Sequence, residues 1–333
     1  MPQKFVFVVH ALSPLHRQVM GLRFRHWSLA SGAANGSDPQ HIRHICHFRY
    51  GDRFLGEVVG VPMPPELFLA HPEQALQRLI RAVHWSARDG LPPSAIGLGS
   101  LCSVVAGRGE GLQAHFDAPV TTGHAGTTWC LYQNIVQAMK IAGRQTVAIL
   151  GASSPVGTAL AKLLAADNIP VIVDSKKAAR KISAVVVDTA EEAAARSKMI
   201  AGAATTGPYL DPASLQVGTQ LFDISLPHTI KGPIPSGVQV WTGETMSMPS
   251  NWRRGFWGPI YHLVSGYGWN TVLACLLEPL MVLASGEGRP LAQGRVIQPE
   301  AVLRFGAVAA ELGFYVKPRR IRYSLADKGL QAL

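Results

Sequence analysis

Apolar residues in this chain come in short runs broken by glycine and polar clusters, and the breaks set the expected elements. Lys4 to Ala11 is a near-continuous Phe/Val run of strand length. Leu15 to Leu29 carries apolar residues at helical spacing, with Arg17, Arg23 and Arg25 among them, and Gly32 to Gln40 is a turn-rich loop. Ile45 to Val61 alternates as two strands about a Gly51-Asp52 turn. His71 to Arg88 places Leu76, Leu79, Ile80 and Val83 on one helical face. Ile96 to Val105 reads as a glycine-interrupted strand. Thr121-Thr122-Gly123-His124 then opens a helix to about Gly143, with a threonine as its expected cap.

Residues 147–177 form the most informative stretch. Val147 to Leu150 is a buried-strand run, followed by Gly151-Ala-Ser-Ser-Pro-Val-Gly157, a helical pattern and a second apolar run from Ile169 to Val173. Strand, glycine turn, helix and strand make a right-handed βαβ unit of the dinucleotide-binding kind. Gly151 frees the turn, Gly157 lets helix and strand approach, and the free N–H groups of the first helical turn suit a pyrophosphate. Ser153 and Ser154 stand where a middle glycine is usual, and with Val156 they complete the expected phosphate turn. Asp174 falls where a carboxylate would hold the ribose 2′-OH of NAD, whereas Ser175-Lys176-Lys177 suits the 2′-phosphate of NADP; NADPH is the favoured cofactor.

Further strand candidates follow at Ala184–Val187, Met199–Ala204, Gln220–Ile224 and Val238–Trp241, with Ala204 a further residue expected to line the cofactor site. The expected fold is α/β: a doubly wound, mostly parallel Rossmann-type sheet with a second, smaller N-terminal α/β domain. Boundaries are expected at 1–128 for the N-terminal domain, 129–285 for the dinucleotide domain and 286–333 for a C-terminal helix and basic tail packing back on the N-terminal domain. Trp269 to Ala284 reads as one apolar helix containing Cys275 and Pro279, and Pro299 to Leu312 as another. Asn251 to Tyr267, rich in aromatics and glycine, fits no element.

With 47% hydrophobic and 16% charged residues over 333 positions, the chain can build two cores. No apolar run reaches the ~18 residues of a membrane span, and the start reads as a strand, not a signal peptide. Four scattered cysteines without a C-x-x-C pair argue against a metal site or disulfide framework and fit a reducing cytoplasm. A net charge of +10 predicts attraction to something acidic. The basic clusters lack the interleaved aromatics or motif of nucleic-acid recognition, so an acidic protein partner or a peripheral membrane contact is the expectation.

Cys275 in an apolar helix reads first as inert core, yet a thiol is also the side chain that exchanges acyl groups with thioesters. Cys46, Cys102 and Cys130 read as core. His10 ends the first strand and His16 follows; both are proton-transfer candidates. His124 and the Thr121 and Thr122 hydroxyls, at a helix N-terminus, suit an anion or carbonyl oxygen.

In their order along the chain, several of these motifs resemble the long-chain acyl-acyl carrier protein reductases best known from cyanobacteria. They are Val9-His10-Ala-Leu-Ser13-Pro-Leu-His16, Gly97 to Val105, Thr121-Thr122-Gly123, Thr146 to Gly157, and Leu273-Ala274-Cys275 with Glu278. Ser154 stands where that family has Gly, His124 where it has Asn and Lys176 where it has Arg. The resemblance implies NADPH-dependent reduction of a fatty acyl thioester, on acyl carrier protein or CoA, to an aldehyde. Cys275 would be the acyl-accepting nucleophile, His124, Thr121 and Thr122 would stabilise the oxyanion, and His10 and His16 would serve as proton donors. An aldehyde-consuming enzyme would follow. The competing expectations are a shikimate- or amino-acid-type dehydrogenase without a covalent step, and a nucleotide-sensing or carrier-binding module without catalysis.

Overall fold

A computed structural model describes residues 2–10, 42–63, 65–174, 184–187, 189–204, 210–225, 228–230, 233–255 and 270–320. The expected helix at 15–29, its following loop and His16 lie outside the described residues. The chain divides into two compact units. One comprises Met1–Gly123, Met248–Arg295 and Val308–Phe314; the other comprises His124–Ser247, Val296–Ala307 and Tyr315–Leu333.

The first unit is built on a six-stranded mixed sheet. Its strands are β1 (Gln3–His10), β2 (Arg43–Tyr50), β3 (Phe54–Val61), β4 (Ala95–Leu98), β5 (Val120–Thr121) and β13 (Trp252–Arg254), in the order β13-β2-β3-β1-β4-β5. β2 and β3 form the expected antiparallel hairpin, while β3, β4 and β5 run parallel to their neighbours on the β1 side. Side chains alternate across a strand. Val6 and Val8 therefore join a core with Leu79, Val83, Ile96 and Leu98, beneath the amphipathic helix α2 (Pro72–Ser86). Phe5, Phe7 and Val9 take the other face. There the helix α8 (Ala274–Ser285) comes so close to β4 that a Cβ on Gly97 would lie 2.8 Å from Pro279 Cγ.

Two apolar runs resolve differently from their sequence pattern. The run at 96–105 is a strand only to Leu98; the chain turns at Ser100, with φ 51°, and continues as the short helix α3 (Leu101–Val105). The run at 269–284 is a strand, β14 (Thr271–Leu273), before it is a helix, so Cys275 is the second helical residue and not a mid-helix one. The expectation that this helix belongs to the dinucleotide domain is also corrected, since it packs in the first unit. Likewise 286–333 is not one segment: 286–295 and 308–314 belong with the first unit, and the remainder with the second.

The second unit holds a six-stranded, all-parallel sheet of β6 (Val147–Leu150), β7 (Val171–Val173), β8 (Val185–Val186), β9 (Met199–Gly202), β10 (Gln220–Asp223) and β11 (Gln239–Thr242). Its order is β11-β10-β9-β6-β7-β8. The chain thus winds outward from β6 through β7 and β8, then returns to the other side of β6 and winds outward again. That is the Rossmann order, whose crevice opens at the carboxyl ends of the first and fourth strands, here β6 and β9. The helices α5 (His124–Ala142) and α6 (Pro155–Ala166) belong to this unit, and the latter is the crossover of the expected βαβ. β12 (Thr245–Ser247) is a further short strand of this unit. Ala148, Leu150, Ile172, Ile200, Leu221 and Val240 form part of its core.

Because Gly97 admits Phe7 and Pro279 at once, Gly97→Val is expected to lower the unfolding free energy by about 1–3 kcal/mol through overpacking. Urea denaturation measures it.

Candidate functional site

The glycine turn of the second unit sits where the strand order predicts a dinucleotide. Gly151 has φ +81°, and a Cβ there would lie 2.6 Å from the Ala204 nitrogen, so the expected site residues Gly151 and Ala204 are backbone neighbours. A Cβ on Gly157 would lie 2.4 Å from the Gly151 carbonyl oxygen, which is why helix and strand can approach only with glycine here. Most of the turn's N–H groups already have acceptors. Gly151 and Ala152 donate to the two oxygens of Asp174, at 2.9 and 3.2 Å. Ser154 N–H donates to the Gly151 carbonyl, and Ser154 Oγ accepts from Gly157 N–H at 2.9 Å as the helix N-cap. Pro155 has no N–H. Among the described residues the N–H groups of Ser153 and Val156 remain open.

Two of the expected site residues thus also have a role inside the turn. Ser154 caps the helix through its hydroxyl oxygen, which leaves the O–H proton as the group that could reach a ligand. Asp174 does stand at the end of β7, but its carboxylate is drawn back onto the turn and braces it. The fit to a dinucleotide holds in the glycine cradle and strand order. Ser175, Lys176 and Lys177, on which the preference for NADP rests, lie outside the described residues.

Sequence reasoning missed a polar cluster at the carboxyl ends of β9 and β10. Buried Asp223 accepts from Ser225 N–H (2.9 Å), Thr229 N–H (2.8 Å) and Thr229 Oγ1 (2.8 Å), and His228 Nδ1 lies 3.4 Å from its Oδ2. Ser225 Oγ in turn accepts from Ala204 N–H at 3.1 Å. A Cβ on Gly202 would fall 2.2 Å from Thr229 Oγ1, so a glycine ending one strand and an aspartate ending the next were the available signal.

In the first unit the structure brings together two motifs 150 residues apart. Gly123, with φ +78°, packs on the start of α8: a Cβ there would lie 2.4 Å from Cys275 Cβ and 2.9 Å from Cys275 Cα. Glu278, fully buried one turn later, accepts the Thr121 hydroxyl and, at 3.2 Å, the Gly123 N–H through the same oxygen, Oε1. Thr122 is held by its N–H (3.0 Å) and hydroxyl (3.2 Å) to the Ala292 carbonyl. Both threonine side chains are buried, and their hydroxyls donate within the first unit, to Glu278 and to the Ala292 carbonyl. Pro279 lacks the N–H that would close on the Cys275 carbonyl.

Cys275 is half-buried, while Cys46, Cys102 and Cys130 are buried as expected. Burial pushes the Cys102 thiol up, further separating it from any nucleophilic role. Cys275 instead lies in the first turn of a helix, where unsatisfied N–H groups favour an anion.

The histidines are distributed differently from expectation. His10 does end β1, but it is buried on the α2 side of the sheet, opposite Cys275, where it packs against Phe68 with ring centroids 5.1 Å apart. Its Nε2 accepts the Leu101 N–H at 3.3 Å. Alternation along the strand turns Val9, not His10, toward the Cys275 side. His124 begins α5 in the second unit. Among the described residues no group of three or more His, Cys, Asp or Glu could hold a metal, and no helix is long and apolar enough to cross a membrane.

No family model matches this chain. Over 283 residues it is 22% identical to the aminotransferase PigE of Serratia sp. (strain ATCC 39006), covering 79% of this chain and 32% of that protein. The chain thus spans about a third of that relative's length. Among solved structures it is similar to the Trypanosoma brucei methylenetetrahydrofolate dehydrogenase-cyclohydrolase complexed with NADP and inhibitor. That match has 13% identity, 71% of this chain, 74% of that one and a TM-score of 0.33. It is also similar to the L-tryptophan dehydrogenase of Nostoc punctiforme, with 13% identity, 94% and 88% coverage and a TM-score of 0.35. The strand order, not these likenesses, establishes the fold.

Two measurements test the scaffolds. Glu278→Ala strands the Thr121 hydroxyl and Gly123 N–H and opens a cavity, and is expected to lower the unfolding free energy by about 3 kcal/mol in urea denaturation. Asp174→Ala, which releases two N–H groups of the turn, is expected to cost about 1–3 kcal/mol by the same measurement.

Proposed function

We propose that this chain is an NADPH-dependent oxidoreductase that reduces a fatty acyl thioester to an aldehyde, with Cys275 carrying the acyl group in between. The observation that supports this reading most is the setting of Cys275. Of the four cysteines it is the half-buried one, it lies in the first turn of a helix, and its backbone is seated on Gly123. Thiolates are favoured at helix N-termini, and a thiolate is the form that attacks a thioester.

In the proposed first stage, Cys275 Sγ adds to the thioester carbonyl carbon. The carbon–sulfur bond to the carrier breaks, the carrier thiolate leaves and takes up a proton, and an acyl-Cys275 thioester remains. Exchange of one thioester for another is near balance in energy, so this stage needs little driving force. The turn from Gly151 to Gly157, with Ala204 beside it, would hold the pyrophosphate of a nicotinamide dinucleotide, which would supply the hydride that reduces this thioester. Cys275 sulfur then departs as the aldehyde carbonyl forms and recovers its proton, which returns the enzyme to its starting state. Glu278 acts through position: by holding Thr121 and Gly123 together it fixes the floor on which Cys275 rests. The net charge of +10 suits steering of an acidic carrier protein, or of CoA phosphates, toward the chain.

Intact-mass spectrometry after incubation with a long-chain acyl-CoA and no NADPH tests the covalent step. The expected result is one acyl adduct that maps to Cys275 and is absent from Cys275→Ala. That variant should bind NADPH as the unaltered chain does, measured by nucleotide fluorescence, while aldehyde formation falls about a thousandfold or more. Full retention of NADPH oxidation by Cys275→Ala would instead mark a dehydrogenase without a covalent step.

A further inference from the structure

The face of the first sheet that lies away from Cys275 carries a second polar centre. Register places Lys4 of β1, Leu55 of β3, Arg49 of β2 and Arg253 of β13 in one row across four strands. The next row on the same face runs from Val6 through Glu57 to His47. All of these but Val6, with His44, Arg88 and Asp89, line a cleft of about 540 Å³.

Its inner charges are matched. Buried Lys4 lies 3.2 Å from Glu57 and 2.8 Å from Asp89, and Arg88 lies 2.7 Å from Glu57. Both carboxylates of the cleft are thereby engaged, and the Lys4 hydrogen bond, working against desolvation, holds Asp89 below the usual carboxylate range. Its outer charges are not matched. Arg49 and Arg253 stand directly opposite each other across an antiparallel pair, an arrangement that is destabilising for like charges. The carboxylate nearest Arg49 is that of fully exposed Asp52, at 3.8 Å, and among the described residues none lies within 4 Å of Arg253. His47 lies beside them, its ring 2.3 Å from where a Cβ on Gly255 would stand, so glycine at that position makes room for the imidazole.

We propose that this cleft binds a small phosphorylated ligand, with the guanidinium groups of Arg49 and Arg253 on the phosphate. Two planar guanidinium forks present parallel N–H donors to phosphate oxygens, and an anion between them removes their mutual repulsion. The cleft is larger than a bare phosphate requires and falls in the volume range of small-molecule sites, leaving space against Leu55 for the rest of the ligand. Because alternation puts Phe7 and Val9 on the Cys275 side and Lys4 on this one, the site is separate from the thiol and does not depend on the reaction proposed above.

Calorimetric titration of the full chain with pyrophosphate tests it, beside Arg253→Gln and Arg49→Gln. Pyrophosphate is expected to bind the unaltered chain and raise its melting temperature, and each substitution should weaken binding at least tenfold. Without ligand, Arg253→Gln should melt no lower than the unaltered chain, since it removes a like-charge pair. Absence of binding would overturn the proposal. Equal affinity in both variants would also overturn it, placing the anion elsewhere, as at the glycine turn. Poly-glutamate bound through the same arginines, with pyrophosphate not bound, would overturn it in favour of an acidic protein surface.

Discussion

The approach of the Cys275 backbone to Gly123 is the constraint on which the first unit's site depends. It requires a residue without a Cβ and with positive φ at position 123, and it requires the helix to begin where it does. Glu278 then ties the turn to the helix from below, with one oxygen shared by Thr121 and Gly123. Thr121 lies beside Gly97 in the sheet, and Gly97 is the residue that admits Pro279. Sheet edge, turn and helix start are thus fixed to one another by two glycines, one proline and one buried carboxylate. A buried carboxylate is costly unless its lone pairs are met, so the same group that positions the turn must be satisfied by it.

A similar economy governs the glycine turn of the second unit. Asp174 and Ser154 take up N–H groups that would otherwise be orphaned, and what remains for a ligand is narrow: Ser153 and Val156. The carboxylate that the sequence position assigns to a ribose here braces the loop that would receive the phosphates. Order in the turn is built into the protein before any ligand arrives, which lowers the entropy that binding must overcome.

The parallel sheet was legible in the sequence because its strands are short apolar runs separated by glycine and by amphipathic helices, and each expected run proved to contain a strand. The Cys275 helix was less legible. Thr271-Val-Leu and the helix after it are both apolar, and period alone does not separate a buried strand from a buried helix start. Its assignment to the wrong unit has a different cause: packing of Pro279 on Gly97 joins residues 182 positions apart, and no local pattern records such a contact. His10 was rightly placed at a strand end, but which face it takes depends on the core that Val6 and Val8 join. Lys4, Glu57, Arg49 and Arg253 come from four different strands, and only register sets them on one face.

β13 is only three residues long, and among the described residues it is the outer edge of the first sheet. A longer apolar strand in that place would offer a ladder of open backbone groups to any neighbouring chain. Two consecutive arginines on so short an edge instead make strand addition by another molecule unfavourable, a device that protects sheet proteins from aggregation. The outermost cations of this sheet therefore safeguard its solubility as well.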